Sequence, residues 1–426
     1  MQDVIANTYP SPRWSMEILD CSMPMTFDTY SRCSFNCLYC FSYYQKAHSC
    51  GGYLEGVVKS VNVDRVKSIF TNCLADKPKT RSELQFYPYI KARKVMQWGG
   101  LADQFDLYEK KYGVTLELMK FFDEIDYPLS FSTKSVWWTT DERYMSLMRK
   151  HPHNWHVKVS IITLDEKKAR AIEKGVPSPL ERVAALKLIS DCGIKTTLRL
   201  RPFIIGMSGD WMELITLCKA AGIVSVSSEF FCLEARAQQA LLDRYAGMSN
   251  ALGYDIHAFY RANSQGSGYR RLTRKIKLPI YTQMKQFCKA LGLGLSLSDA
   301  HCRDLNEQCN CCGVPKEWNS QEANFQGAIL IAKEKGKVTW DDVEPEITRL
   351  FGGFRWIAAE QFNTGTNRNR AIFDSTTMAE WIKYLWNSPE KLNSPQNAYG
   401  GILKANGRDK NGNVIYAYGV GNHGRK

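Results

Sequence analysis

The chain has no apolar run approaching the roughly 18 residues that a membrane-spanning helix needs, which excludes a helical membrane span. Residues Met1 to Pro10 carry neither the basic flank nor the apolar stretch of a secretion signal. No segment repeats itself, which excludes solenoids and propellers. Acidic residues are the minority, 43 against 56 Lys and Arg, for a net charge of +13. That balance suits a polyanionic partner, with nucleic acid the first candidate, although a merely basic protein would read the same way. Cysteine is not scarce. Fourteen of them without a secretion signal point to a reducing cytoplasm, where clustered thiols are more often metal ligands than disulfides. With 426 residues, 44% hydrophobic and 23% charged, the composition is that of a soluble globular protein with room for two domains.

Period and punctuation predict alternating elements. Helices are expected over 61–75, 115–125, 141–149, 180–192 and 211–221. Strands are expected at 95–98, 129–133, 157–162, 195–201 and 223–228. Glycine recurs where helix turns to strand, as at Gly193. Alternation with short joins implies βα units and a parallel sheet, and six such units give an α/β fold, a partial (β/α)6 TIM-like barrel with a C-terminal mixed α/β extension. The division that follows is 1–235 for the barrel core, 236–317 for a barrel-completing region and 318–426 for an accessory region. Beyond the core, a helix is expected over 279–291, a strand over 292–298, helices over 340–350 and 378–386, and a hairpin over 404–416.

Cys33, Cys37 and Cys40 form a C-x3-C-x2-C run in a polar loop. Three thiolates so close can wrap one face of a cubane [4Fe–4S] cluster and leave the fourth iron open, whereas a closed zinc or iron–sulfur site wants four protein ligands. An aromatic residue precedes the third cysteine, Tyr39, and another follows it, Phe41. One βα unit later, Gly99 and Gly100 end a strand and let a ligand approach the backbone closely.

This spacing, with its flanking aromatics, resembles the radical SAM superfamily. The segments 99–113, 129–135, 159–182 and 198–206 are similar to those of its spore photoproduct lyase-like branch, which acts in DNA repair and modification, and the resemblance spans roughly residues 28–232. It implies that Cys33, Cys37 and Cys40 hold a [4Fe–4S] cluster and that S-adenosylmethionine (SAM) chelates the open iron. Gly99 and Gly100 would meet the SAM amino group, with Asp103 in the same stretch. Tyr39 would lie beside the adenine. Ser160, Glu173 and Arg182 would lie near the ribose or the carboxylate, and Lys134 and Arg199 are candidates for that carboxylate. The plainer alternatives are packing for Tyr39, a solvated Lys134 and an ion pair between a loop and a helix start for Glu173 and Arg182. The chain departs from the family at Gln104, where proline is frequent. No cysteine is marked as a hydrogen donor, so the radical chemistry carries over and the repair activity does not. The activity implied is reductive cleavage of SAM to a 5′-deoxyadenosyl radical, fed by an electron donor such as flavodoxin or ferredoxin. That radical would abstract hydrogen from a nucleic-acid base or modified pyrimidine, in DNA or as a nucleotide, in a lyase, isomerase or C–H functionalising reaction.

Two further features sit outside that core. Cys302, Cys309, Cys311 and Cys312, with His301 as an optional nitrogen ligand, allow an auxiliary iron–sulfur cluster, zinc or no metal. Arg270, Arg271, Arg274, Lys275 and Lys277 follow Tyr269, and Arg355, Trp356, Arg368 and Arg370 lie in a region rich in Trp and Tyr. Phosphates want such cations and unstacked bases want such rings, but a solvated face with ordinary core tryptophans fits equally. Two other functions therefore stay open: a peptide-modifying radical SAM enzyme with an auxiliary cluster, and a non-catalytic DNA-binding iron–sulfur protein.

Overall fold

The structure is a computed structural model, and it describes residues 6–9, 11–15, 18–43, 58–235, 239–265, 269–306, 312–314, 316–352 and 377–419. Cys309, Cys311, Arg355, Trp356, Arg368 and Arg370 lie outside the described residues. The chain divides into two compact units. One comprises residues 1–12, 26–63 and 97–296; the other comprises 13–25, 64–96 and 297–426.

The first unit is mixed α/β around a largely parallel sheet. Its strands are β1 (Met25–Phe27), β2 (Met96–Trp98), β3 (Leu129–Thr133), β4 (Trp155–Ser160), β5 (Lys195–Phe203), β6 (Ser225–Phe230) and β7 (Gly294–Leu297). They lie side by side in chain order, from β7 at one edge inward to β1. The pairs β1–β2, β3–β4, β4–β5 and β5–β6 are parallel. Every residue of β3 and β4 is buried, as expected for strands covered on both faces. The intervening helices include α1 (Val114–Glu124), α2 (Glu142–Lys150), α3 (Pro179–Asp191) and α4 (Trp211–Ala220). Local chemistry sets their ends. Ser178 caps α3 in a reciprocal capping box with Glu181, Pro179 takes the first turn, and Gly193 follows with φ +83°. Two more helices, α5 (Gln239–Leu252) and α6 (Arg274–Ala290), lie beyond β6 in the chain.

A chain of polar side chains crosses four strands. Ser130 on β3 meets His156 Nδ1 at 2.9 Å, His156 Nε2 meets Thr197 on β5 at 2.8 Å, and Thr197 meets Ser225 on β6 at 2.6 Å. All four residues are buried. Burial, followed by the charges of Lys158 and Lys195, holds His156 well below the usual histidine range, so its imidazole is neutral and links one neighbour through each nitrogen.

The expected helix over 279–291 begins earlier than its sequence suggests. The basic run splits into a strand, Tyr269–Leu272, and the start of α6 at Arg274, with Pro279 inside the helix. The buried stripe of α6 is Lys277, Tyr281, Met284 and Cys288, spaced for one helical face. The short strand Tyr269–Leu272 pairs antiparallel with Cys232–Glu234 and Ser264–Gln265.

The second unit carries the expected hairpin as strands Leu403–Arg408 and Val414–Tyr418, with Lys337–Val338 paired to the latter. Trp386, on the helix Met378–Trp386, is central to its core: its ring lies 5.6 Å from Trp340, 5.0 Å from Tyr416 and 6.1 Å from Phe325, and its indole N–H donates to the Val414 carbonyl at 2.7 Å. These tryptophans are packing residues, which removes Trp340 and Trp386 from the set that could stack on bases. Among the described residues, no helix is long and apolar enough to cross a membrane.

Candidate active site

The sheet of the first unit delivers its functional side chains at the carboxyl ends of its strands. The cysteine loop follows β1. Gly99 follows β2, Lys134 follows β3, Ser160 ends β4, Arg199 to Pro202 lie late in β5, and Glu229 and Phe230 end β6. Together these line one cleft with about 1030 Å³ of free volume, part of it open to solvent. Cys33, Cys37, Tyr39, Cys40, Gly99, Gly100, Asp103, Lys134, Ser160 and Arg199 all lie on its wall. Of the residues assigned to the cofactor from sequence, Glu173 and Arg182 are the two that do not.

Those two form the support beneath the wall. Arg182, wholly buried, donates to Glu173 Oε2 at 2.7 Å and to the Ser160 carbonyl at 2.8 Å. The Tyr39 hydroxyl donates to the other oxygen of Glu173. The carboxylate thus fixes Tyr39 while the guanidinium fixes the end of β4. Burial works against the Glu173 charge, but Arg182, then Lys134, and the hydrogen bonds from Arg182 and Tyr39 more than offset it, so its carboxyl stays below the ordinary range. The same burial, reinforced by Glu173, pushes the Tyr39 phenol well up. Lys134 Nζ sits 5.6 Å from the centre of the Tyr39 ring.

Asp103 also acts through structure. It accepts from the Thr133 hydroxyl at 2.9 Å, the Lys134 amide at 2.6 Å and the Phe105 amide at 3.0 Å, so it ties the glycine turn to the end of β3. Asp28, which the sequence did not single out, does the same from the other side. Its Oδ1 accepts from the Leu101 and Ala102 amides at 2.8 and 2.9 Å. Gly99 itself has φ +90°, and a Cβ there would lie 2.6 Å from the Ser132 carbonyl oxygen and against the Gln104 side-chain oxygen. Among the described residues, neither polar atom of the buried Gln104 amide has a hydrogen-bond partner. Gly99→Ala should therefore cost roughly 2–4 kcal/mol, from a left-handed backbone plus a backbone clash. Urea denaturation would measure the loss, and SAM binding by calorimetry should fall with it; a variant of unchanged stability would refute the strain.

Cys33, Cys37 and Cys40 line one cleft together, and that donor set of three thiols fits a cluster held through three thiolates. Burial first, then Asp106 and Asp103, pushes the Cys33 thiol well up. Burial likewise pushes Cys37 up to about 12, with Lys134 opposing and Glu173 adding to it. Such thiols stay protonated at neutral pH unless a cation replaces the proton. Elsewhere among the described residues, Asp126, His151 and His153 bring three ligand atoms within 4.8 Å of one another.

The same cleft is lined by Arg201 and Tyr269 and by residues that sequence reasoning missed: Glu229, Phe230, Phe231 and Cys232. Arg201 and Glu229 are ion-paired across β5 and β6, both largely buried. The basic segment reaches the cleft only through Tyr269, whose ring lies 5.5 Å from the Arg271 guanidinium. Arg271 and Lys275 are exposed, Arg270 and Arg274 half-buried, and Lys277 is 2% exposed on the inner stripe of α6, so it presents no charge to an outside phosphate. In the second unit, Cys302 is wholly buried and Cys312 packs in an apolar cluster with Met23, Val95 and Val314.

No protein-family model matches the chain, and none of the curated proteins searched matches its sequence. Solved structures do match in fold. A cysteine-to-serine mutant of spore photoproduct lyase aligns over 69% of this chain and 80% of its own, with 13% identity and a TM-score of 0.50. Spore photoproduct lyase complexed with dinucleoside spore photoproduct aligns over 70% and 79%, with 12% identity and a TM-score of 0.46. SuiB from Streptococcus suis, bound to S-adenosylmethionine, aligns over 72% of this chain and 57% of its own, with 11% identity and a TM-score of 0.44. The first of these relates the fold of this chain to that of spore photoproduct lyase.

Proposed function

We propose that this protein is a radical SAM enzyme on a partial (β/α)6 barrel, acting on a nucleic-acid base or modified pyrimidine. The observation that carries the first part is the convergence of Cys33, Cys37 and Cys40 with the Gly99–Gly100 turn on one cleft at the carboxyl ends of parallel strands. Cys33, Cys37 and Cys40 would hold the [4Fe–4S] cluster, and the open iron would take SAM. When bound, this pair supplies one-electron cleavage of SAM and a carbon radical that abstracts hydrogen.

This chain's own residues do the positioning. Gly99 and Gly100 leave room for a ligand against the backbone. Lys134 and Arg199 offer cations to a carboxylate, and Arg199 also donates to the Ser132 hydroxyl at 3.4 Å. Tyr39, clamped by Glu173, offers a fixed ring face. Tyr39, Phe230, Phe231 and Tyr269 give the cleft aromatic walls.

The substrate reading rests on the lyase-like sequence segments, the charge of +13 and the Arg201–Glu229 pair in the cleft wall. Arg201 donates and Glu229 accepts, side by side, next to aromatic rings. That pairing suits a flat heterocycle whose edge carries both N–H and C=O groups. A duplex would have to extrude the base to reach it. The test is anaerobic incubation with reductant, SAM and deuterated nucleosides or DNA. Deuterium should appear in 5′-deoxyadenosine from a pyrimidine substrate; transfer from no nucleoside or oligonucleotide, with SAM still cleaved, would exclude the substrate class and leave the radical chemistry standing.

A further inference from the structure

The proposed cluster loop is gripped from a distance of more than 200 residues by one side chain. Arg244 lies on α5, 9% exposed. Its Nη1 donates to the Asn36 side-chain oxygen at 2.7 Å, its Nη2 to the Cys37 carbonyl, and its Nε to the Leu38 carbonyl at 3.3 Å. The same guanidinium lies 4.3 Å from the centre of the Tyr43 ring. Three consecutive residues of the loop thus converge on one planar fork, and an aromatic ring from the end of the loop lies against that fork. One turn further along α5, a Cβ on Gly247 would meet Leu38 Cδ1 at 3.2 Å, so the helix lies close against the loop. From the other side, Asn36 and Cys37 pair with Lys174 and Glu173, and the Leu38 amide donates to the Ile172 carbonyl at 2.8 Å.

We infer that Arg244 is the positioning residue of the cysteine loop, and that its fixed charge beside Cys37 sets the reduction potential of the cluster held there. The second half rests on the cluster reading above; the first does not. Only arginine can do both. Its guanidinium is planar, always charged and carries five N–H donors, whereas lysine is a point charge on a flexible stem and cannot hold three acceptors in a plane. A cubane on three thiolates is anionic and becomes more so on reduction. A fixed cation one residue from a ligand favours the reduced state, so removing it moves the potential in the negative direction.

The test uses full-length protein with Arg244→Lys, Arg244→Gln and, as a variant that leaves the charge in place, Gly247→Ala. In metal-free protein, alkylation of Cys37 read by peptide mass analysis reports loop order without any cluster. Arg244→Gln is expected to raise that rate at least tenfold, and Arg244→Lys and Gly247→Ala to raise it less. After reconstitution, an EPR redox titration is expected to give a more negative potential for Arg244→Gln and near-wild-type potentials for Arg244→Lys and Gly247→Ala. Unchanged alkylation in all three variants overturns the positioning role, and equal potentials in wild type and Arg244→Gln overturn the charge role. If wild type binds no iron, the cluster reading fails, while the alkylation arm still decides whether Arg244 holds the loop. If Arg244→Gln does not fold, the positioning role is decided by the other two variants, and a potential in Arg244→Lys as sensitive to salt as that of a surface charge would count against the fixed-charge role.

Discussion

Cys37→Ala is expected to abolish both the iron–sulfur absorbance of reconstituted protein and the formation of 5′-deoxyadenosine, taking each to background. Cys37 is the buried member of the trio, its thiol pushed up to about 12. Burial thus favours the protonated thiol, and a bound cation is what would hold the sulfur as a thiolate. Its backbone is paired with Glu173 and its carbonyl bound by Arg244, and neither contact uses the sulfur. Alanine therefore removes a ligand and leaves the loop in place, with a stability change of about 1 kcal/mol. Cys73→Ala is the matched control: this thiol is also buried and pushed up to about 12, but it lies outside the cleft. Iron and SAM cleavage in Cys73→Ala should match wild type. Full iron content in Cys37→Ala, or its loss in both variants, would refute the ligand assignment.

Arg182→Met should be the most destabilising substitution in the site, at about 3–5 kcal/mol, because it strands a buried carboxylate. The pH dependence gives this a signature. In the wild type, Glu173 is held below its unfolded value, so its contribution is present above that value and is lost as pH falls through the lower, folded one. Without Arg182, burial becomes the leading influence and the carboxyl rises toward protonation. The stability gap between wild type and Arg182→Met should then be larger at pH 8 than at pH 5 in urea titrations. The double variant Glu173→Gln/Arg182→Met should recover much of the loss, since the uncompensated charge is gone. A gap independent of pH, or a double variant no better than the single one, would mean that packing rather than charge sets the cost. Both variants should also loosen Tyr39, which loses its acceptor or its acceptor's anchor.

Much of the first unit is legible in the sequence because its signals are local. The strand 129–133 matches β3 residue for residue, and the helix over 180–192 differs from α3 by one position at each end, since a capping box and a following glycine mark its limits. Cys33, Cys37, Cys40, Gly99 and Gly100 are legible for the same reason: each motif is short and its geometry is carried by neighbours. What is lost is anything that depends on a face or on distance. Lys277 looks like one more charge in a basic run, yet its spacing to Tyr281, Met284 and Cys288 places it on the buried stripe, and Pro279 disguises where that helix begins. Glu173 and Arg182 are expected near the ribose or the carboxylate, with an ion pair as the plainer alternative, because a polar pair near a strand end can equally touch a ligand or each other; the structure has them touch each other. Arg244 carries no local signal, because its acceptors are backbone carbonyls and one amide oxygen far away in the chain.

The neutral polar chain from Ser130 through His156 and Thr197 to Ser225 lies toward the starts of its strands, opposite the ends that line the cleft. Each link joins one particular pair of residues, so a strand that slipped by one residue would break the chain and bury unmatched groups. Alignment of the strands is thus secured at one end of the sheet, and chemistry is displayed at the other. Loss of the His156 side chain would therefore leave the Ser130 and Thr197 hydroxyls without that partner in the middle of the sheet, and its cost would fall on strand alignment rather than on the cleft.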